Sequence, residues 1–433
     1  MRSGRPPLSA PALAAARTRA RYQVLGMTVA LAAITYLDRV CISITAPDMM
    51  HDLKLSRVEM SFVFSAFTLA YGIFEIPTGW WGDKVGTRRV LTRIVLWWSV
   101  FTMMTGAAFS YVSLLVIRFL FGVGEAGAWP NVARTFSRWF PMKERGTAQG
   151  TFFMGAHLAG GLTPLLVTAL LAHFHWRALF AIFGSVGFVW AIAWFRWFRD
   201  EPADHPAVND AELAYIEAGR RASGSHHMGW SEWKALLANR SVLGLCGMYF
   251  TQTYGFYFYI TWLPTYLKAT RGFSAVSLGI AAGLPLTLSV VADLLGGITT
   301  DRLTARFGLR IGRASVGGGS LAAAGVFMIA GTLCPQPILA VILISLAGAA
   351  SNFLLGAAWS TCIEIGGDHT GVVGAAMNTS GQVGGVLSPI VVGLMVQHFA
   401  NWNAPLYITG ALYLLGAICW VWINPAHHLV VER

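Results

Sequence analysis

Long apolar runs, broken by short charged or Pro/Gly-containing stretches, dominate the chain and predict helices near 22–46, 59–80, 90–109, 112–133, 147–171 and 177–198. After a gap, a second set follows near 241–265, 275–298, 313–334, 337–361, 371–397 and 402–423. An α-helix needs about 20 apolar residues to cross a hydrocarbon layer roughly 30 Å thick, which is the length of most of these runs. The pattern therefore predicts an all-α membrane protein with twelve transmembrane helices in two pseudo-symmetric six-helix bundles. The expected organisation is a tail at 1–21, a bundle at 22–198, a linker at 199–240, a second bundle at 241–423 and a tail at 424–433. The linker is the one long polar stretch, carrying Asp200, Glu201, Asp204, Asp210, Glu212, Glu217, Arg220 and Arg221.

The two sets of helices repeat each other at matched places. Gly79-Trp80-Trp81-Gly82-Asp83-Lys84, followed by Arg88, aligns with Gly297-Ile298-Thr299-Thr300-Asp301-Arg302, followed by Arg306. An acid precedes each Asp by the same interval, Glu75 in one half and Asp293 in the other. Gly160-Gly161-Leu162-Thr163-Pro164 likewise aligns with Gly385-Val386-Leu387-Ser388-Pro389. Identity at fixed offsets is what an internal duplication leaves behind.

Composition agrees: 55% of the 433 residues are hydrophobic and 12% charged, more apolar surface than a water-soluble fold can hide. The net charge of +11 would suit nucleic acid if it were pooled on one surface, but it is not. Of the 31 Lys and Arg residues, 24 lie at the termini or in segments near 84–93, 134–145, 196–240 and 302–313. The intervening loops hold only Lys54, Arg57, Arg177, Lys268 and Arg271. This asymmetry predicts both termini and the linker in the cytoplasm, the lipid bilayer as partner, and no nucleic acid. The five cysteines are scattered without C-x-x-C spacing, so no disulfide framework, metal site or cofactor is expected. Residues 1–21 lack a long apolar core and read as a disordered cytoplasmic tail rather than a cleaved signal. His226-His227 and His427-His428 read as solvated.

Charges inside the apolar segments carry the chemistry. Asp38 and Arg39 lie in the first, Arg118 and Glu125 in the fourth. A charge at the bilayer centre costs at least about 2.5–3.5 kcal/mol, so each must face the bundle interior or a wet cavity. Arg118 and Glu125 are two helical turns apart, about 10 Å along one face, too far to pair but suited to line one path. Asp38 and Arg39 point about 100° apart, so one can meet a neighbouring helix while the other faces a cavity. A carboxylate beside an Arg titrates differently once that Arg engages an anion, which links protons to a ligand. A buried ion-pair network that fixes helix packing is the competing reading. Glu75 and Asp293 are expected near the cytoplasmic helix ends, paired with loop bases. His157 could contact an anion or simply pack. The Gly79, Asp83, Lys84 and Arg88 cluster, echoed at Asp301 and Arg302, can latch one conformation through its charges. Gln252, Trp359, Ser360 and Asn378 are polar candidates in the second half, and the aromatic run from Tyr249 to Trp262 could wall a cavity.

The loop at 79–89 resembles the signature between helices 2 and 3 of the major facilitator superfamily. Tyr36-Leu37-Asp38-Arg39, Arg118-Phe119-Leu120-x-Gly122-x-Gly124-Glu125-Ala126 and Arg138-Trp139-Phe140-Pro141 with Glu144-Arg145 are similar to the anion:cation symporter family. That family includes bacterial carriers of galactonate, hexuronates and glucarate, and vesicular glutamate transporters. The resemblance implies Asp38 and Glu125 as protonation sites, Arg118 as partner of Asp38, and Arg39 as the grip on a substrate carboxylate. It also implies Tyr36, Tyr71, Gln252 and Asn378 as substrate-binding residues. The expected function is proton-coupled uptake of a small organic anion such as a sugar acid, by a monomer working through alternating access. Sodium is the alternative coupling ion, and efflux of amphipathic compounds the alternative transport reaction. A membrane-embedded enzyme or sensor is disfavoured, since the chain has no H-E-x-x-H or G-x-S-x-G motif.

Overall fold

The computed structural model describes residues 16–217, 238–263, 266–267, 270, 275–399 and 401–426. Arg2, Arg5, Arg220, Arg221, Lys268, Arg271, Arg433 and both His-His pairs lie outside the described residues. The first half comprises α1 (Ala20–Leu53), α2 (Arg57–Val85), α3 (Thr87–Gly106), α4 (Tyr111–Glu125), α5 (Ala128–Trp139), α6 (Arg145–Leu171) and α7 (Trp176–Trp197). A short α8 (Asp210–Glu217) precedes α9 (Arg240–Thr261), α10 (Ala275–Phe307), α11 (Leu309–Leu333), α12 (Pro337–Phe353), α13 (Leu355–Gly366), α14 (Thr370–Phe399) and α15 (Asn403–Trp422).

Among the described residues, nine helical stretches are long and apolar enough to cross a membrane, with α4–α5 and α12–α13 each forming one. The remaining three of the expected twelve are α3, α6 and α9, of 20, 27 and 22 residues. Each spans roughly 30 Å or more at 1.5 Å per residue. Their composition is what sets them apart: α3 begins with Arg88, Arg89 and Arg93, and α6 and α9 carry Gly, Thr and polar side chains on inward faces. Several helices outrun their apolar core because capping residues extend them. Ser56 and Glu59 form a reciprocal cap that starts α2, and Ser110 and Ser113 do the same for α4.

The fourth span is broken at its middle. α4 ends at Glu125, and the chain passes through Gly127, whose φ of 85° suits glycine, before α5 begins. A Cβ there would lie 2.6 Å from Thr78 Cβ. The second half breaks in the equivalent place, at Leu354 between α12 and α13. Packing repeats as well: α1 on α6, α3 on α7 and α2 on α4 match α9 on α14, α11 on α15 and α10 on α12. Across the halves α2 packs on α14 and α6 on α10, which are again equivalent pairs.

The expected linker is partly folded. Ala211, Leu213 and Ile216 give α8 a buried apolar face beneath the first half. Buried Glu212 accepts hydrogen bonds from Ala20 N at 3.1 Å, Arg21 N at 3.3 Å and Arg21 Nη1 at 3.0 Å. Arg138 pairs with Glu201 at 2.9 Å, and Asp200 accepts from Arg88 N at 2.9 Å.

Candidate functional site

Helix breaks at the membrane midplane leave polar groups free to face a cavity, and the break after Glu125 places that carboxylate opposite α1. Arg39 Nε donates to Glu125 Oε1 at 2.5 Å. The guanidinium carbon lies 4.9 Å from the Tyr71 ring centre, 5.2 Å from Phe67 and 5.5 Å from Trp129, so aromatic faces hold the cation while 21% of its side chain stays accessible. Asp38 is buried beside the Thr102 hydroxyl, and by geometry neither carboxyl oxygen makes a hydrogen bond among the described residues. Arg118 is buried over Phe121, 4.3 Å from the ring centre, and forms no ion pair with Asp38. The two are electrostatic neighbours, and Glu125 acts on both.

Two further acids tie the halves together. Asn378 Nδ2 on α14 donates to Glu75 Oε1 on α2 at 2.5 Å and lies 3.5 Å from Tyr71 Oη. His157 Nδ1 on α6 meets Asp293 Oδ2 on α10 at 2.5 Å. The expectation that Glu75 and Asp293 pair with loop bases is thereby corrected: both are fully buried and bonded to the opposite half at equivalent positions. Tyr36 packs edge-on against His157 at 5.8 Å and is stacked on Trp129 at 6.4 Å. Tyr71, Tyr36, Arg39 and Asn378 thus gather around one centre. Gln252 does not join it directly. Its Nε2 donates to Asn352 Oδ1 at 2.9 Å, and Asn352 donates to Ser289 Oγ at 2.8 Å, a chain within the second half. Trp359 donates to Tyr249 Oη at 3.2 Å, and Ser360 bonds the Gly356 carbonyl.

A groove of about 960 Å³ runs between α2, α4, α9 and α14, lined mainly by apolar side chains such as Phe62, Leu69, Leu115, Val116 and Ile390, and none of Arg39, Asp38, Arg118 or Glu125 lines it. Tyr257, on its wall, donates to Gln382 Oε1 at 3.2 Å.

On the side of the termini the halves are closed by two matched latches. Asp83 accepts from the first-turn amides of α14, Gly371 N and Val372 N, both at 3.0 Å. Asp301 accepts from the first-turn amides of α6, Gly146 N at 2.9 Å and Thr147 N at 2.6 Å. Each acid therefore satisfies donors that a helix N-terminus leaves open and meets the positive end of its dipole. Glycine is required where the backbones touch: a Cβ on Gly79 would sit 2.6 Å from Gly371 O, and one on Gly297 2.4 Å from Gly146 O. The loop bases do not supply the pairing expected of them. Lys84 is exposed beside Trp80, Arg302 is exposed, and Arg88 donates to the Phe195 carbonyl within its own half. Arg134 holds Asp83 instead, at 2.8 Å, Arg313 lies 3.7 Å from Asp301, and Arg145 bridges to Glu364 of the other half at 2.7 Å. Arg134, one turn before the Arg138 motif, carried no local signal of this role, and neither did Trp129, whereas Tyr257 belongs to the aromatic run read as a possible cavity wall.

Comparison with known proteins agrees with this arrangement. Residues 28–389 match the family model described as Major Facilitator Superfamily. A probable sulfoacetate transporter of Cupriavidus necator is 36% identical over 94% of this chain and 95% of its own. A probable galactarate/D-glucarate transporter of Escherichia coli strain K12 is 32% identical over 93% of this chain and 94% of its own. The human organic anion transporter MFSD10 has a similar fold, with a TM-score of 0.71 at 13% identity, covering 92% of this chain and 99% of that one.

Proposed function

Because the chain belongs to the major facilitator superfamily, we propose that it carries a small organic anion inward together with protons, by alternating access between its two halves. It is a multi-pass membrane transporter and not an enzyme. The anions named for its two relatives, sulfoacetate and galactarate or D-glucarate, each carry two acidic groups. The basic loops support an inner-membrane orientation with both termini cytoplasmic, in which the contacts of Asp83 and Asp301 lie on the cytoplasmic side.

The observation that carries this reading is Arg39, held through one edge by Glu125 and by aromatic faces while the rest of the guanidinium stays reachable. A substrate carboxylate taking the open fork competes with Glu125 for the same cation, and Glu125, released, takes a proton. Asp38, buried beside the Thr102 hydroxyl, is the second proton-accepting group, and Arg118 sets the field around it. Tyr36, Tyr71 and Asn378 offer hydrogen bonds to substrate hydroxyls, and Gln252 supports the second-half wall. The carrier works as a monomer. Efflux of amphipathic compounds, the alternative reading, is less well supported, because the accessible charge of the centre is a guanidinium, which favours an anion.

Uptake of sulfoacetate or D-glucarate into proteoliposomes under an inward proton gradient tests the proposal. Arg39→Ala should abolish ligand-induced thermal stabilisation and uptake while the protein still purifies as a folded species. Uptake by that variant at the unmodified rate would overturn the assignment.

A further inference from the structure

His157 is buried in the membrane, with its ring wedged between the two halves. Asp293 from α10 holds its Nδ1, Tyr36 from α1 meets its face edge-on, and Phe256 from α9 lies 5.9 Å away. The remaining nitrogen, Nε2, makes no hydrogen bond among the described residues. Tyr36 connects this ring to the anion grip. It stands one helical turn before Arg39 on α1, and both Tyr36 and the Arg39 guanidinium pack against Trp129. Tyr36 therefore touches both the His157 imidazole and Trp129, the ring that also carries the Arg39 guanidinium.

The two centres are built alike. Each bears one nitrogen on a buried carboxylate, Glu125 or Asp293, each of which keeps a second oxygen without a partner. Each also keeps nitrogen without a hydrogen bond among the described residues, Nη1 and Nη2 of Arg39 and Nε2 of His157. A protonated imidazole has two N–H donors, and with Asp293 taking one the other is available to an anion.

We propose that His157 is the second anion-holding group of the site, and that the transporter selects anions with acidic groups at both ends of a short chain. Arg39 takes one acidic group and His157 the other. The inference rests on organic-anion transport through the Arg39 site and adds a specificity residue to it. A residue that merely ties the halves together would lower affinity for every substrate alike. An anion-holding residue lowers it for dianions alone, and that difference separates the two roles.

Matched ligand pairs test the proposal by calorimetric titration of the purified protein. Galactarate and D-galactonate differ only in a terminal carboxylate against a hydroxymethyl group. Sulfoacetate and methylsulfonylacetate differ in a sulfonate against a neutral sulfone of similar shape. In each pair the dianion should bind at least about tenfold tighter, the yield of one charge-assisted hydrogen bond. His157→Gln should collapse that ratio towards unity, whereas His157→Lys, which keeps a cation, should retain part of it. Equal affinities in the unmodified protein overturn the inference while leaving organic-anion transport standing. So does a His157→Gln variant that weakens both members of a pair equally, or one that keeps the full ratio. Failure of all four compounds to bind or be taken up overturns the transport reading itself.

Discussion

Glu125 occupies the last position of α4 and engages Arg39 through one oxygen, leaving the other without a partner. Glutamine in its place keeps the shape and can still accept from Arg39, but it cannot gain or lose a proton. Glu125→Gln should lose proton-driven accumulation and keep counterflow exchange, measured in proteoliposomes. Accumulation with unmodified pH dependence would count against its coupling role. Asp38, Arg39, Arg118 and Glu125 were legible in the sequence because a charge within an apolar run needs a reason. The partners were not. Glu75 was expected to reach loop bases such as Lys84, yet nine residues of helix put about 13 Å between their backbones. Its real partner, Asn378, comes from the other half, and linear spacing holds no record of which helices the fold brings together.

Helix ends explain why the duplicated motif takes the form it does. Gly79 and Gly297 allow the two backbones to touch, and Asp83 and Asp301 then cap the start of the helix facing them. Removing either carboxyl deprives the closed state of charge-assisted hydrogen bonds worth roughly 1.5–3 kcal/mol apiece. Asp83→Ala and Asp301→Ala should therefore populate a form open on the side of the termini. Spin labels at exposed Lys143 and Arg306, one on each half, should report longer separations in both variants. An unchanged distance distribution would show that closure does not depend on these acids. The motif was readable from the repeat alone, but its chemistry was not, because the acceptors' donors are backbone amides and have no side-chain signature. The break after Glu125 was missed for a related reason: the apolar run from 112 to 133 continues smoothly through Gly127, and only the close approach of Thr78 makes the left-handed turn necessary.

The twofold plan of helices, foreshadowed by matched glycines and acids, is repeated in the packing of each half and in the contacts between them. Charge asymmetry between alternate loops fixes how that plan should sit in the membrane. Single cysteines at Lys54 and Lys143 lie at opposite ends of the bundle, and a membrane-impermeant maleimide added to intact cells should label the first and spare the second. The reverse result would invert the proposed orientation. The linker was read only as a polar stretch between the halves, yet burial of Leu213 and Ile216 and the grip of Glu212 on the start of α1 fold its first part against the N-terminal bundle. A sparse apolar face three residues wide is too short to register as a periodic signal.

A clasp that closes on peptide N–H groups reads no side chain on the receiving strand of chain. Gly371 and Gly146 must stay small, but Val372, which gives only its amide, can drift without loosening the fastening at Asp83. Much of how tightly this carrier shuts therefore passes through carboxyls that meet backbone, so evolution can retune some of the surrounding side chains for a new cargo or a new lipid without rebuilding the gate.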